Sequence, residues 1–305
     1  MTRMTTIVDA HQHFIKFDQR EYPWIRADMT ELRRDLLPAD FLAAAQGLGE
    51  RGTRPGTGGS DVGVWSAGVF RTVAVEARQS LEETRWLLEI ARSNPLVAGV
   101  VGWADLCDPD LDSVLEQLSA DPHLKGLRHV LHDEPNDNFM LRDDFRRGIA
   151  RLARYGLSYD ILIFPRHLPQ TLELVRSFPD QPFVIDHMAK PRIREGELSS
   201  WHEALRPVAA YPNVYCKLSG LVTEASPHAW KPQDFLPYID TVMELFGPAR
   251  LMFGSDWPVC TLEAPYAEVL AVVDGAIARL NPDERESILR RTAESFYHLS
   301  TAGSR

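Results

Sequence analysis

Apolar residues along this chain fall into short runs, and the runs alternate with longer stretches whose apolar positions recur every three or four residues. The short runs are Ile7–Ala10, Val69–Val75, Val97–Trp103, Lys125–Val130, Leu157–Leu162, Phe183–His187, Val214–Leu218 and Leu251–Ser255. They are rich in Val, Ile, Leu and Phe, are bounded by turn residues and are too short for helices. They therefore predict buried strands. The stretches between them predict helices. Pro38-Ala39-Asp40-Phe41 starts the first, and Ser80-Leu81-Glu82-Glu83 has the form of a capping box before Thr84–Ser93. Asp108-Pro109 puts proline at the first position of a helix through Leu118. Asp143–Tyr155 carries Phe145, Ile149 and Leu152 on one face, and Gly156 stops it. Leu168–Ser177, Glu203–Ala210 and Asp234–Phe246 follow, and Pro282 opens a last helix with Ile288 and Leu289 as its apolar positions.

Eight strand–helix units with both sheet faces covered predict an α/β fold, a closed parallel (β/α)8 TIM barrel spanning residues 1–305 as one domain. A doubly wound open sheet would carry a glycine-rich first turn, and here histidines follow the first strand. The segment 47–68 is rich in Gly and Ser and has too little apolar content to order itself, so it predicts a surface insertion. No strand precedes it and no Lys-Ser/Thr pair closes it, which argues against a phosphate-binding loop.

Composition narrows the partners. The 305 residues are 44% hydrophobic, and 33 Lys plus Arg against 43 Asp plus Glu give a net charge of −10. That balance excludes a nucleic-acid backbone as partner but not a small anion met by one or two local arginines. Cys107, Cys216 and Cys260 form no CxxC pair, which implies a reducing compartment. No apolar leader follows Met1, and no apolar run approaches the ~20 residues of a membrane span. A cytoplasmic protein without a membrane partner is expected; a homodimer stays open.

In such a barrel the strand C-termini build the site. His11 and His13 stand two residues apart on a strand and so project to one side. Further polar strand ends are Glu76 and Arg78, Trp103 and Asp105, Arg128 and His132, Asp160, Asp186 with His187 and Lys190, Lys217 and Ser219, and Ser255-Asp256-Trp257. His187 and Asp256 stand out because each closes a strongly apolar run. His129 is the outward neighbour of Arg128, and His123, His202, His228 and His298 are surface residues. Trp24, in the aromatic loop after the first strand, either lines a pocket or covers the mouth.

His11-x-His13, His187 and Asp256, on the first, sixth and eighth strands, resemble the metal-ligand pattern of the amidohydrolase superfamily. Val8-Asp-Ala-His-Gln-His-Phe14, Tyr22-Pro-Trp24, Gln79-Ser-Leu-Glu-Glu-Thr-Arg-Trp86, Lys217-Leu-Ser-Gly-Leu-Val-Thr-Glu224 and Arg250-Leu-Met-Phe-Gly-Ser-Asp-Trp-Pro-Val-Cys260 are similar to its sugar-lactonase branch. That branch includes L-fuconolactonase and L-rhamnonolactonase and, more distantly, 2-pyrone-4,6-dicarboxylate lactonase. The resemblance implies hydrolysis of an aldono-1,5- or 1,4-lactone of the L-fucono type. Asp256 would be general base and then acid, beside His11, with His187, His13 and Arg128 as candidates to polarise the carbonyl; Arg128 could instead pair with a carboxylate. Trp24, Arg78, Trp103, His132, Asp160 and Trp257 are the candidate substrate contacts.

The two-metal members of the superfamily add a strand-four lysine and a strand-five histidine. Here strand four begins with Lys125 but ends in Arg128-His129, strand five ends in Asp160, and His167 lies well beyond it. A binuclear site is not expected. His11, His13, His187 and Asp256 either hold a single Zn²⁺ or work with no obligatory metal. The competing readings are a metal-dependent decarboxylase or another ester or lactone hydrolase of the superfamily, and a non-enzymatic binding scaffold.

Overall fold

A computed structural model describes residues 6–46 and 70–300. Eight strands, β1 (Ile7–Gln12), β2 (Phe70–Val75), β3 (Val97–Gly102), β4 (Leu124–His129), β5 (Ser158–Ile161), β6 (Phe183–Ile185), β7 (Val214–Leu218) and β8 (Leu251–Phe253), form one parallel sheet in sequence order. The predicted TIM barrel is therefore the fold. β8 returns to β1 through a parallel bridge between Gln12 and Trp257, which closes the cylinder at its C-terminal mouth. The predicted insertion at 47–68 lies outside the described residues.

The helices between the strands are α1 (Pro38–Gln46), α2 (Leu81–Ser93), α3 (Leu111–Ser119), α4 (Asp143–Leu152), α5 (Leu168–Ser177), α6 (Ser199–Ala209), α7 (Pro232–Phe246) and α8 (Tyr266–Ile277). α9 (Pro282–Glu286), a π turn and α10 (Thr292–Phe296) follow. Two starts differ from expectation. α3 begins only after Asp110, so Pro109 sits in the preceding turn and not at the first helical position. Ser80 Oγ accepts from the Glu82 and Glu83 amides as a cap should, but the Glu83 carboxylate turns away to the amides of Ala77 and Arg78. α8 is not predicted by the periodicity at all. Its seven buried residues, from Tyr266 to Ile277, recur every three or four positions, but Ala267, Ala271 and Gly275 on the outer side carry no polar group, which blurs the contrast in the sequence.

Apolar packing divides in two. The larger cluster lies between strands and helices, with Leu127, Tyr159, Phe183, Cys216 and Phe253 facing helical residues such as Leu87, Phe145 and Leu205. A smaller one joins Val8, Ala10, Val73, Val184 and Met252 to Phe296, Tyr297 and Leu299, so the segment after α10 stops the barrel floor. With the floor filled, the mouth is where strand ends can meet solvent. No helix among the described residues is long and apolar enough to cross a membrane.

Candidate functional site

The end of β1 is stitched to the residues after β8. Asp256 N donates to His11 O (2.8 Å), His13 N donates to Trp257 O (2.6 Å), and Asp9 Oδ1 accepts from both His11 N and Ser255 N. These contacts fix the backbone under two imidazoles and one carboxylate. The third imidazole comes from the turn after β6, where His187, Met188, Ala189 and Lys190 all have positive φ, between 50° and 60°. A run of left-handed non-glycine residues costs about 1–2 kcal/mol per residue, so the surroundings must impose it. Trp201 Nε1 on Met188 O and Lys190 N on His187 O are part of what does.

The outcome is convergence on one atom. Asp256 Oδ1 lies 3.4 Å from His13 Nε2, 3.9 Å from His11 Nε2 and 4.0 Å from His187 Nε2. Each ring is held from behind at its other nitrogen. His13 Nδ1 meets Val75 O (2.9 Å), His187 Nδ1 meets Ser219 Oγ (2.9 Å) and His11 Nδ1 meets Asp186 Oδ1 (3.3 Å). His13 Nδ1 on the Val75 carbonyl leaves its Nε2 toward Asp256, and His11 Nδ1 also lies 3.2 Å from Lys217 Nζ. Burial lowers His11 and His187 well below the usual imidazole range. Burial alone would raise the Asp256 carboxyl, but His187 and His13 beside it outweigh that and hold it ionised. His11 is fully buried, whereas Asp256, His13 and His187 keep 4–5% exposure, so these three face the mouth.

Directly beneath lies a buried ionic layer that sequence reasoning leaves unassembled. Arg128 Nε donates to Glu76 Oε1 (2.8 Å), NH1 to Asp186 Oδ2 (3.1 Å) and to His11 Nε2 (3.2 Å), and NH2 to Glu76 O. Lys217 Nζ donates to Asp160 Oδ2 (2.6 Å) and lies 2.9 Å from Asp186 Oδ1, while Tyr297 OH donates to Asp160 Oδ2 (2.7 Å). Glu76, Asp186 and Lys217 were visible only as polar strand ends. The signal that marks them is an ionisable residue set into an apolar run, as in Val214-Tyr-Cys-Lys217-Leu and Phe183-Val-Ile-Asp186.

This layer corrects two assignments. Asp160 is not at the substrate surface: it is fully buried, and Lys217 and Tyr297 occupy its Oδ2. Arg128 pairs with Glu76, Asp186 and His11, as in the carboxylate-paired alternative, and keeps the same 4% exposure as Asp256. Trp257 is a third correction. It is 2% exposed and packs edge-on against Phe14 and Phe41, behind the mouth wall.

The remaining candidates stand around the rim. Trp24 is half-buried and donates Nε1 to Ala77 O, Arg78 pairs with Glu21 over the Tyr22 ring, and Trp103 Nε1 points to His129 Nδ1 at 3.5 Å. His132 packs on Phe164 with ring centroids 4.7 Å apart; burial and then the Lys190 charge lower it to about 4. None of these four touches the Asp256 cluster directly among the contacts of the described residues.

As chemistry, the cluster offers a buried carboxylate able to accept a proton, and three ring nitrogens aimed at a common point. Among the described residues, His11, His13 and Asp256 form one group able to hold a metal ion, and His11, Asp186 and His187 form another.

Similarity to known proteins agrees with this geometry. An amidohydrolase family model matches residues 8–299. The chain is 37% identical over 303 residues to an L-fucono-1,5-lactonase of Burkholderia ambifaria, covering 97% of both chains. It is 39% identical over 305 residues to an L-fucono-1,5-lactonase of Burkholderia multivorans, covering 96% of each. A crystal structure of a Burkholderia multivorans amidohydrolase with bound zinc superposes with a TM-score of 0.86 at 38% identity, over 97% of this chain and 100% of that one. With the barrel, the histidine–aspartate cluster and these likenesses in agreement, the chain belongs to the amidohydrolase family and is a hydrolase of its lactonase kind.

Proposed function

We propose that this enzyme opens an aldonolactone of the L-fucono type, with Asp256 as the proton-transferring carboxylate. The observation that carries the proposal is the convergence of three imidazole nitrogens on Asp256 Oδ1 within 3.4–4.0 Å. The lactonase relatives, at 37% and 39% identity, supply the substrate class.

The donor set fits a single zinc ion. Ligands of a tetrahedral zinc with bonds of roughly 2.0–2.1 Å stand about 3.3 Å apart, and His11, His13 and Asp256 have donor atoms within 4.8 Å of one another, with His187 Nε2 4.0 Å from Asp256 Oδ1. The backing partners Val75 O, Ser219 Oγ and Asp186 Oδ1 are the kind that orient metal-bound imidazoles. His11, His13, His187 and Asp256 would hold it, His11 Nε2 exchanging its contact with Arg128 for the metal. A divalent ion bound there supplies a Lewis acid for the lactone carbonyl and a lower pKa for water.

The chain's own residues do the rest. Asp256, ionised and facing the mouth, takes a proton from the attacking water as the new C–O bond forms at the carbonyl carbon. When the tetrahedral centre collapses, the ring C–O bond breaks and Asp256 returns the proton to the ring oxygen. His13 and His187 keep their Nε2 side toward the reacting group. Arg128 and Lys217 are paired with Glu76, Asp160 and Asp186, which offsets most of the negative charge beneath the site.

The test is a pH-indicator assay on a panel of aldono-1,5- and 1,4-lactones, with chelator and with zinc restored. Opening of L-fucono-1,5-lactone that chelation abolishes and zinc restores is expected. Failure to open any lactone with zinc present, or CO2 release from an aromatic acid instead, would overturn the proposal.

A further inference from the structure

The turn that delivers His187 has a second end. Lys190 closes the same left-handed run, tied to it by Lys190 N on His187 O at 2.7 Å. While His187 faces the Asp256 cluster, Lys190 enters a cavity of ≈ 510 Å³ between the segments after β5, β6 and β7. Phe164 and Arg166 form its β5 wall, Arg192 and Arg194 extend the β6 wall, and Glu224 stands opposite on the β7 side. The wall is shared with the catalytic mouth, because Phe164 packs on His132 and Arg166 donates to His132 O.

The charges in this cavity are unequal in kind. Arg166 is bound to Asp137 and Arg192 to Glu197, and all four of those side chains are about half exposed. Lys190 and Glu224 form a sheltered pair at 2.6 Å, with side chains only 18% and 20% exposed. Arg194 has no carboxylate within ion-pair distance among the described residues; its guanidinium donates to Ala225 O and its backbone N–H to Glu224 O. In a chain of net charge −10, Asp137, Glu197 and Glu224 answer Arg166, Arg192 and Lys190, and Arg194 is the cation of the lining with no carboxylate in ion-pair distance among the described residues.

Lactone opening creates charge where there was none: a neutral ring becomes a polyhydroxy carboxylate. We propose that this cavity is an anion subsite that receives the carboxylate of the opened acid. Lys190 Nζ is its donor, Arg194 supplies additional positive charge, and Glu224 is the internal anion that the product displaces. The inference rests on the lactonase reading. A charge-assisted bond to Lys190 forms only with the acid, because a neutral lactone cannot displace Glu224 on equal terms. The subsite thereby draws the product away from the Asp256 cluster by the length of one turn.

The experiment pairs lactone kinetics with isothermal titration of sodium L-fuconate into the full-length enzyme, as wild type, Lys190→Met, Lys190→Arg and Glu224→Gln. Lys190→Met is expected to weaken fuconate by about 10-fold or more, with KM for neutral L-fucono-1,5-lactone moving far less. Lys190→Arg should recover most of the affinity, and Glu224→Gln should tighten fuconate by about 3-fold. If wild type opens the lactone but Lys190→Met binds fuconate as wild type does, or loses lactone and acid affinity equally, the subsite alone is overturned. If wild type opens no lactone and binds no fuconate, the lactonase reading falls and takes the subsite with it.

Discussion

A Cβ placed on Gly220 would lie 2.6 Å from His187 Nδ1 and 2.9 Å from its Cβ. Gly220 has φ +64°, and its neighbour Ser219 holds that same ring nitrogen. The His187 imidazole therefore rests on bare backbone, and the missing side chain is what gives it room. Gly220→Ala is expected to lower kcat by about 10- to 100-fold through displacement of the ring. Gly156→Ala is the control, since φ is +65° there but nothing lies within 4 Å of the added methyl. It should cost about 1 kcal/mol of stability and leave kcat intact. Steady-state kinetics beside thermal melts separates the two.

Asp256→Asn keeps the shape of the carboxylate and removes its basicity. A fall in kcat of about 100-fold or more is expected, with an unchanged far-UV circular dichroism spectrum. A variant that retains wild-type kcat would remove Asp256 from the chemistry.

Lys217 sits with Asp160 and Asp186 in the sealed interior, all fully buried. Lys217→Met leaves Asp160 without its cation and Asp186 with Arg128 alone, and is expected to lose about 3–5 kcal/mol in urea unfolding. Adding Asp160→Asn to that variant should recover part of the loss, because the stranded charge is then removed. Strict additivity of the two single changes would contradict the network.

Glu83 is buried, and burial together with the nearby Glu76 charge raises its carboxyl to about 7, even though Tyr22 OH and the Ala77 and Arg78 amides bond to it. An acid raised on folding binds its proton more tightly in the native state. Its contribution is therefore whole below the unfolded value of 4.5 and fades as pH rises through about 7. Glu83→Gln carries no such titration. The stability difference between variant and wild type should move by about 3 kcal/mol in the variant's favour between pH 4.5 and pH 8, whatever constant offset the amide introduces. Urea midpoints across that range check it.

The barrel was legible because eight apolar runs end in polar residues, and that pattern survives without any knowledge of contacts. His11, His13, His187 and Asp256 were legible for the same reason, as ionisable groups closing apolar strands. The layer beneath them was not. Arg128 meets Glu76 across 52 residues, and Lys217 meets Asp160 across 57, so only the closed cylinder reveals those pairs. Asp160 and Trp257 each occupy a strand end, yet one faces an interior cation and the other a wall of phenylalanines. The left-handed turn also escapes, since His187-Met-Ala-Lys190 contains no glycine to announce it. α8 is hidden by the opposite fault, an excess of apolar residues that blurs its period.

The seam between β1 and β8 runs through His11 O with Asp256 N, and His13 N with Trp257 O. A nascent chain leaving the ribosome thus carries its two leading histidines for most of its synthesis before the aspartate they require exists. On the proposed mechanism, ring closure and competence arrive together, when the residues after the eighth strand dock on the first.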